Sequence, residues 1–72
     1  MNEIEKNERL VAAIAKQYEN SGLTHEELIK AGTQGFDEAE RYFQSNWKFR
    51  FPAYAVWWIR HYILLAIEEK KN

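Results

Sequence analysis

Apolar positions along this chain fall into three stretches of helical period, separated by two polar breaks. In the first, Ile4, Val11, Ile14, Ala15 and Tyr18 recur at spacings of seven, three and four, which is one face of a helix. Glu3 and Glu5 sit in its first turn, where the helix dipole favours acids, and Asn20-Ser21-Gly22 supplies a left-handed stop. A helix is predicted over about residues 3–19. Thr24-His25-Glu26-Glu27 has the spacing of a capping box, so a second helix is predicted over about 25–44. Its apolar face runs through Leu28, Ile29, Phe36, Ala39 and Phe43. Gly32 and Gly35 interrupt that face, each costing about 1 kcal/mol against Ala in a helix. They suggest a kink or the close approach of another backbone, and the helix is expected to be kinked or split near Gly32–Gly35, with Thr33 as the cap of a second piece.

Gln44 to Phe51 reads as a loop marked by Ser45-Asn46, and Pro52 suits the first position of a third helix, predicted over about 52–70. Phe51, Ala55, Trp58 or Ile59, Tyr62, Ile63 and Ala66 give that helix a face to bury. Tyr54, Trp57, His61, Leu64 and Leu65 lie on another side, and few of them are polar. Three helices cannot enclose one of their own members, so a helix apolar over most of its circumference points to a contact outside the chain. The fold class implied is all-α, a compact bundle of three main helices forming one domain over residues 1–72.

Composition sharpens this picture at one place. Nine of the eleven aromatic residues fall between Tyr42 and Tyr62, interleaved with Arg41, Lys48, Arg50 and Arg60. Net charge is −1, but residues 1–40 carry nine acids against four bases, while 41–67 carry four bases and no acid. With 72 residues the chain is near the lower limit for a core that stands alone, and the rings supply much of the area such a core needs. The charged opening Met-Asn-Glu-Ile-Glu-Lys lacks the apolar run of a signal peptide, and no stretch approaches the roughly 20 apolar residues of a membrane span. Absence of cysteine rules out disulfides and thiolate metal sites and fits a cytoplasmic location.

Catalytic chemistry finds little support. His25 and His61 lie on different predicted elements, and Ser21 and Ser45 have no adjacent base. His25-Glu26 lacks the spacing of three or four that sets two ligands on one helical face. No enzyme activity, metal or cofactor is expected. Nucleic acid suits residues 41–65 better, because bases neutralise phosphates and exposed rings stack on unpaired bases, at about 1–3 kcal/mol each. Trp57 and Tyr54 are expected at the surface; Phe43, Phe51 and Tyr62 are expected in the core.

The string Phe51-Pro-Ala-Tyr-Ala-Val-Trp-Trp-Ile-Arg60 resembles region 2 of the sigma-70 family of bacterial transcription initiation factors. That family typically shows Phe-Ser-Thr-Tyr-Ala-x-Trp-Trp-Ile-Arg there. Asn7-x-Arg-Leu-Val11, Ile14-Ala-Lys16, Tyr18 and Gly22-Leu23 resemble its first helix, and Leu28-Ile29, Gly32, Gly35, Ala39 and Phe43 its second. The resemblance spans about residues 7–67. It implies docking on a coiled-coil of the largest RNA polymerase subunit through the second helix, at Glu26, Glu27, Lys30, Ala31, Thr33 and Asp37. It also implies melting of the promoter −10 element and capture of the non-template strand. By resemblance Tyr54 stacks on a flipped adenine, and Trp57 and Trp58 mark the upstream edge of the opened DNA. Phe43, Phe51 and Arg50 line the strand's pocket and track, Arg60 lies near duplex phosphate, and Lys48 adds charge beside them. The chain shows no helix-turn-helix region and is expected to be a piece of a longer factor or an incomplete relative.

Departures from the family pattern are concentrated. His61, Leu64 and Leu65 stand where the family has glutamine, threonine and arginine at the duplex end of the element; a leucine cannot hydrogen-bond a base, though His61 can donate one bond. Lys30, Ala31 and Thr33 replace polar docking positions, Trp47 replaces a basic residue, and Pro52 and Ala53 replace hydroxyls. A rival reading follows: a divergent interaction module whose Trp57, Leu64 and Leu65 face binds a regulator of the anti-sigma kind or a second copy, without touching DNA.

Overall fold

The computed structural model describes residues 3–44, 48 and 50–71; over 3–7 it describes the backbone course alone. The assignment of Ile4 to a buried face and the substitution at Trp47 lie outside the described residues. Three helices follow one another: α1 (Glu3–Lys16), α2 (His25–Tyr42) and α3 (Phe51–Lys71). The all-α bundle expected from the periodicity is the fold observed.

α1 stops three residues short of the predicted end. Beyond Lys16 the chain tightens, with Gln17 N–H donating to Ile14 O at 3.0 Å and Tyr18 N–H to Ala15 O at 2.9 Å, the shorter three-residue pattern that closes helices. Gly22 then turns the chain at φ +103°, in the left-handed region. The capping box forms as its spacing requires: Glu27 N–H donates to Thr24 Oγ1 at 3.1 Å, and Thr24 N–H donates to Glu27 Oε1 at 2.8 Å. The same carboxylate accepts from Lys70 Nζ at 3.0 Å, tying the end of α3 to the start of α2. Those bonds, the Thr24 amide first and Lys70 next, hold the Glu27 pKa below its ordinary value.

α2 runs unbroken through Gly32 and Gly35, so the expected split with Thr33 as a cap does not occur, and the glycines admit the close approach of another backbone. A Cβ built on Gly35 would lie 2.5 Å from the Trp58 carbonyl oxygen and 2.7 Å from Ile59 Cα, which places the α3 backbone directly against α2. The core gathers where the three helices meet: Val11, Ile14 and Ala15 from α1, Leu28, Phe36 and Ala39 from α2, and Ala55, Ile59 and Ile63 from α3. Ile59, not Trp58, occupies the buried position in that register, because Ala55, Ile59 and Ile63 follow at steps of four. α3 starts at Phe51, one residue before Pro52, within the ordinary scatter of helix ends. No helix among the described residues is long and apolar enough to cross a membrane.

Candidate nucleic-acid interface

With Ala55, Ile59 and Ile63 committed to the core, the remaining sides of α3 carry rings. At their inner margin Phe51 meets buried Phe36 edge-on at 5.4 Å between centroids and Phe43 at 5.2 Å. Phe43 passes the contact on to Tyr54 at 5.5 Å, and Tyr54 meets Trp58 edge-on at 6.4 Å. Trp58 is the hub. Tyr42, at the end of α2, stacks on it at 5.6 Å with planes 16° apart, and Tyr62 stacks at 6.2 Å with planes 24° apart. Trp57 meets Trp58 edge-on and stacks on His61 at 5.9 Å with planes 11° apart. The i, i+4 pairs Trp57–His61 and Trp58–Tyr62 follow from helical geometry.

The rings therefore grade from buried to open without a sharp boundary. Trp57 is 65% exposed and Tyr42 51%, whereas Phe43, Phe51, Tyr54, Trp58 and Tyr62 are all half-buried. The expected division, with Tyr54 at the surface and Phe43, Phe51 and Tyr62 in the core, is replaced by one layer of interlocked, half-buried rings. Each ring is braced by neighbours in edge or stacked geometry worth about 0.5–1.5 kcal/mol per pair. Such a surface is held in place before any partner arrives.

Lys48, Arg50, Arg60 and His61 are exposed. Arg41 pairs with Glu38 at 3.4 Å, a surface contact of small energy. The first turn of α3 carries no acid, so the positive end of the helix dipole at Phe51 adds to Arg50. Rings and cations on one acid-poor surface can hold a polyanion with unstacked bases. Both Tyr42 and Tyr62 stack on Trp58, although the sequence places Tyr62 in the core and gives Tyr42 no role; the i, i+4 spacing marks the Trp58–Tyr62 pair, and nothing comparable marks Tyr42.

The residues expected to dock polymerase lie on α2, away from the ring layer. Glu26, Glu27, Lys30, Thr33 and Asp37 are exposed, and Glu26, Lys30, Thr33 and Asp37 form one stripe at steps of four, three and four. Ala31 departs from the set: at 6% exposure its side chain belongs to the core and offers no contact surface. Thr33 and Asp37 also border an open groove of about 490 Å³ between α1 and α2, floored by Val11, Ile29 and Phe36 and rimmed by Glu8, Asp37 and Glu40. Among the described residues no group of three or more His, Asp or Glu side chains is placed to hold a metal ion.

The family model described as Sigma-70 region 2 matches residues 4–72. The chain is 40% identical over 69 residues to the RNA polymerase sigma factor SigA of Nostoc sp., covering 96% of this chain and 18% of that protein. It is 44% identical over 64 residues to the RNA polymerase sigma-C factor of the same organism, covering 89% of this chain and 15% of that protein. With the sigma factor SigA of a Bacillus species it shares 42% over 66 residues, 92% of this chain and 18% of the relative. The chain thus spans less than a fifth of the length of these relatives.

Proposed function

The chain belongs to the sigma-70 region 2 family, and on that premise we propose that it acts as the domain of a transcription initiation factor that binds RNA polymerase core and captures the melted −10 element of a promoter. The observation that carries the reading is the braced ring layer, with Trp57 65% exposed, set among Lys48, Arg50 and Arg60 in a stretch without acids. The non-template strand lies across this layer. Tyr54 and Phe43 receive an unstacked base, Trp57 and Trp58 stand at the upstream fork, and Arg50, Lys48 and Arg60 neutralise phosphates. His61, stacked flat on Trp57, extends the platform and keeps an imidazole N–H for one bond.

The energetics suit single-strand capture rather than forcible opening. Stacking returns about 1–3 kcal/mol per base, while unstacking one duplex step costs a few kcal/mol. Two or three engaged bases therefore offset a short, weakly paired tract. No covalent chemistry is assigned to the domain; it supplies binding energy alone.

Polymerase docking uses the other side. Acidic Glu8, Asp37 and Glu40 rim an apolar groove, which suits a helical segment presenting apolar residues between basic ones. The docking stripe runs from Glu26 to Asp37 on α2, whereas the rings lie on α3 and the last residues of α2, so the two sets share no residue.

The test is a titration of the chain with a single-stranded oligonucleotide bearing a −10 consensus and with one whose key adenine is replaced, at low and moderate salt. Tryptophan quenching should favour the adenine, weaken with salt, and fall sharply in Tyr54→Ala. No binding at low salt, or binding blind to both the adenine and Tyr54, refutes the strand-capture reading. Docking is tested separately by capture on the polymerase coiled-coil, where Asp37→Lys should reduce retention; an unchanged variant contradicts the α2 assignment.

A further inference from the structure

The exposed side of α3 runs past the ring layer and is sorted by charge along its length. Trp57, His61, Leu64 and Glu68 follow at steps of four, three and four, so they make one stripe, with Arg60 beside it near the start and Leu65 beside it near the middle. Trp57 is 65% exposed, Leu64 48% and Leu65 45%. Arg60, His61, Glu68 and Lys71 are exposed as well, and among the described residues neither Arg60 nor Glu68 forms an ion pair. The second half of this stripe does not suit DNA: Leu64 and Leu65 offer no hydrogen bond, and Glu68 and Glu69 repel phosphate. The same acids disfavour an anionic lipid surface.

We propose that the stripe is a self-association surface, on which two copies of the chain pair α3 against α3 in antiparallel about a two-fold axis between Leu64 and Leu65. That axis sets Leu64 of one copy against Leu65 of the second. It brings Glu68 of the second copy opposite His61 and within reach of Arg60, and Lys71 of the second copy over the face of Trp57, an arrangement in which a cation and an indole attract. Every contact occurs twice, as an isologous pairing requires. The order along the helix decides the geometry: the cations precede the leucines and the acid follows them, so antiparallel pairing matches opposite charges. A parallel pairing would set Arg60 against Arg60 and Glu68 against Glu68.

One face of one helix makes a small interface, below about 1,200 Å² in total, so the pairing is of the weak class. It also covers Trp57, Arg60 and His61, which the strand-capture reading uses. Dimer and DNA complex are therefore mutually exclusive, and α3 acts as its own competitor when the chain is free of DNA.

Sedimentation velocity on the 72-residue chain from about 1 µM to about 1 mM tests the pairing. A monomer that converts to a dimer as concentration rises is expected, with Leu64→Glu monomeric throughout. Arg60→Glu and Glu68→Arg should each weaken the dimer by about tenfold, since either change is felt at two symmetric places, and the double variant should recover most of the loss. All three positions are exposed, and circular dichroism should show the fold unchanged. A chain that stays monomeric, association that survives Leu64→Glu, or a double variant no better than the single ones overturns the proposal. The charge swap decides the dimer whether or not DNA binds; failure to bind the oligonucleotide at monomeric concentrations counts only against strand capture.

Discussion

Gly35→Ala adds a single methyl group where α2 and α3 touch. The new Cβ would lie 2.5 Å from the Trp58 carbonyl oxygen, 2.7 Å from Ile59 Cα and 2.8 Å from the Trp58 carbonyl carbon. All three are backbone atoms, so no rotamer change relieves the overlap. Non-bonded carbons sit best at about 3.5–4.0 Å, so α3 must move away by about 1 Å. Overpacking costs about 1–3 kcal/mol, and a clash against backbone belongs at the upper end of that range. Alanine's better helix propensity returns about 1 kcal/mol, leaving a net loss of about 2 kcal/mol. For a domain of this size that lowers the thermal midpoint by about 8–16 °C. Gly32→Ala is the control. Its Cβ would meet Val11 Cγ1 at 2.8 Å and Ile59 Cγ2 at 3.3 Å, methyl groups that can shift more readily than backbone although both side chains are β-branched and buried, so its net loss should be smaller than that of Gly35→Ala. Thermal unfolding followed by circular dichroism compares the two. A Gly35→Ala variant as stable as the parent, or a larger loss at Gly32, refutes the account of how α2 and α3 pack.

Glu27 is held below its ordinary pKa by the Thr24 amide and Lys70, so its stabilisation is fully present above the unfolded carboxylate value and is lost as pH falls through the lower folded value. Glu27→Gln keeps an acceptor for the capping box, and its thermal midpoint should therefore fall less than the parent's on acidification below the usual carboxylate range; parallel curves would show that the Glu27 charge contributes nothing. Trp57→Ala should cost about 1 kcal/mol of stability, the low end for its two ring contacts because the side chain is 65% exposed. The same variant should weaken single-strand binding by about 5- to 150-fold, as loss of one stacking partner implies, and unchanged affinity would remove Trp57 from the strand's path. Arg50→Gln should flatten the dependence of log affinity on log salt by about 0.7, the share of one phosphate on a single strand; an unaltered slope would place Arg50 away from the backbone.

Much of this molecule is legible in its sequence because its local signals agree. The capping box at Thr24–Glu27 and the left-handed turn at Gly22 fix where α2 begins, and the steps of four through Ala55, Ile59 and Ile63 fix the inner face of α3. What periodicity could not deliver was distance. Whether Gly32 and Gly35 bend α2 or admit a neighbour depends on where α3 lies, and that is a tertiary fact. The rings pose the same difficulty. Hydrophobicity sorts residues into buried or exposed, yet Phe43, Phe51, Tyr54, Trp58 and Tyr62 are each partly both, because edge and stacked contacts cover part of a ring and leave the rest open. Ala31 illustrates the limit of transfer by resemblance: matching a position of the docking pattern says nothing of which way the side chain faces, and the alanine there turns into the core. Lys70, forty-three residues from Glu27 in sequence, could not be joined to it without the fold.

On the proposed reading, a single strand lies across the ring layer of α2 and α3. Nuclear magnetic resonance of the isotopically labelled chain, titrated with a −10 oligonucleotide at a concentration where the chain is monomeric, reads this directly. The indole N–H signals of Trp57 and Trp58 and the amides from Arg50 to His61 should shift together and saturate together, while those of Val11, Ile29 and Glu40 around the α1–α2 groove stay in place. Shifts centred on that groove, or none at all in the two indoles, would contradict the claim.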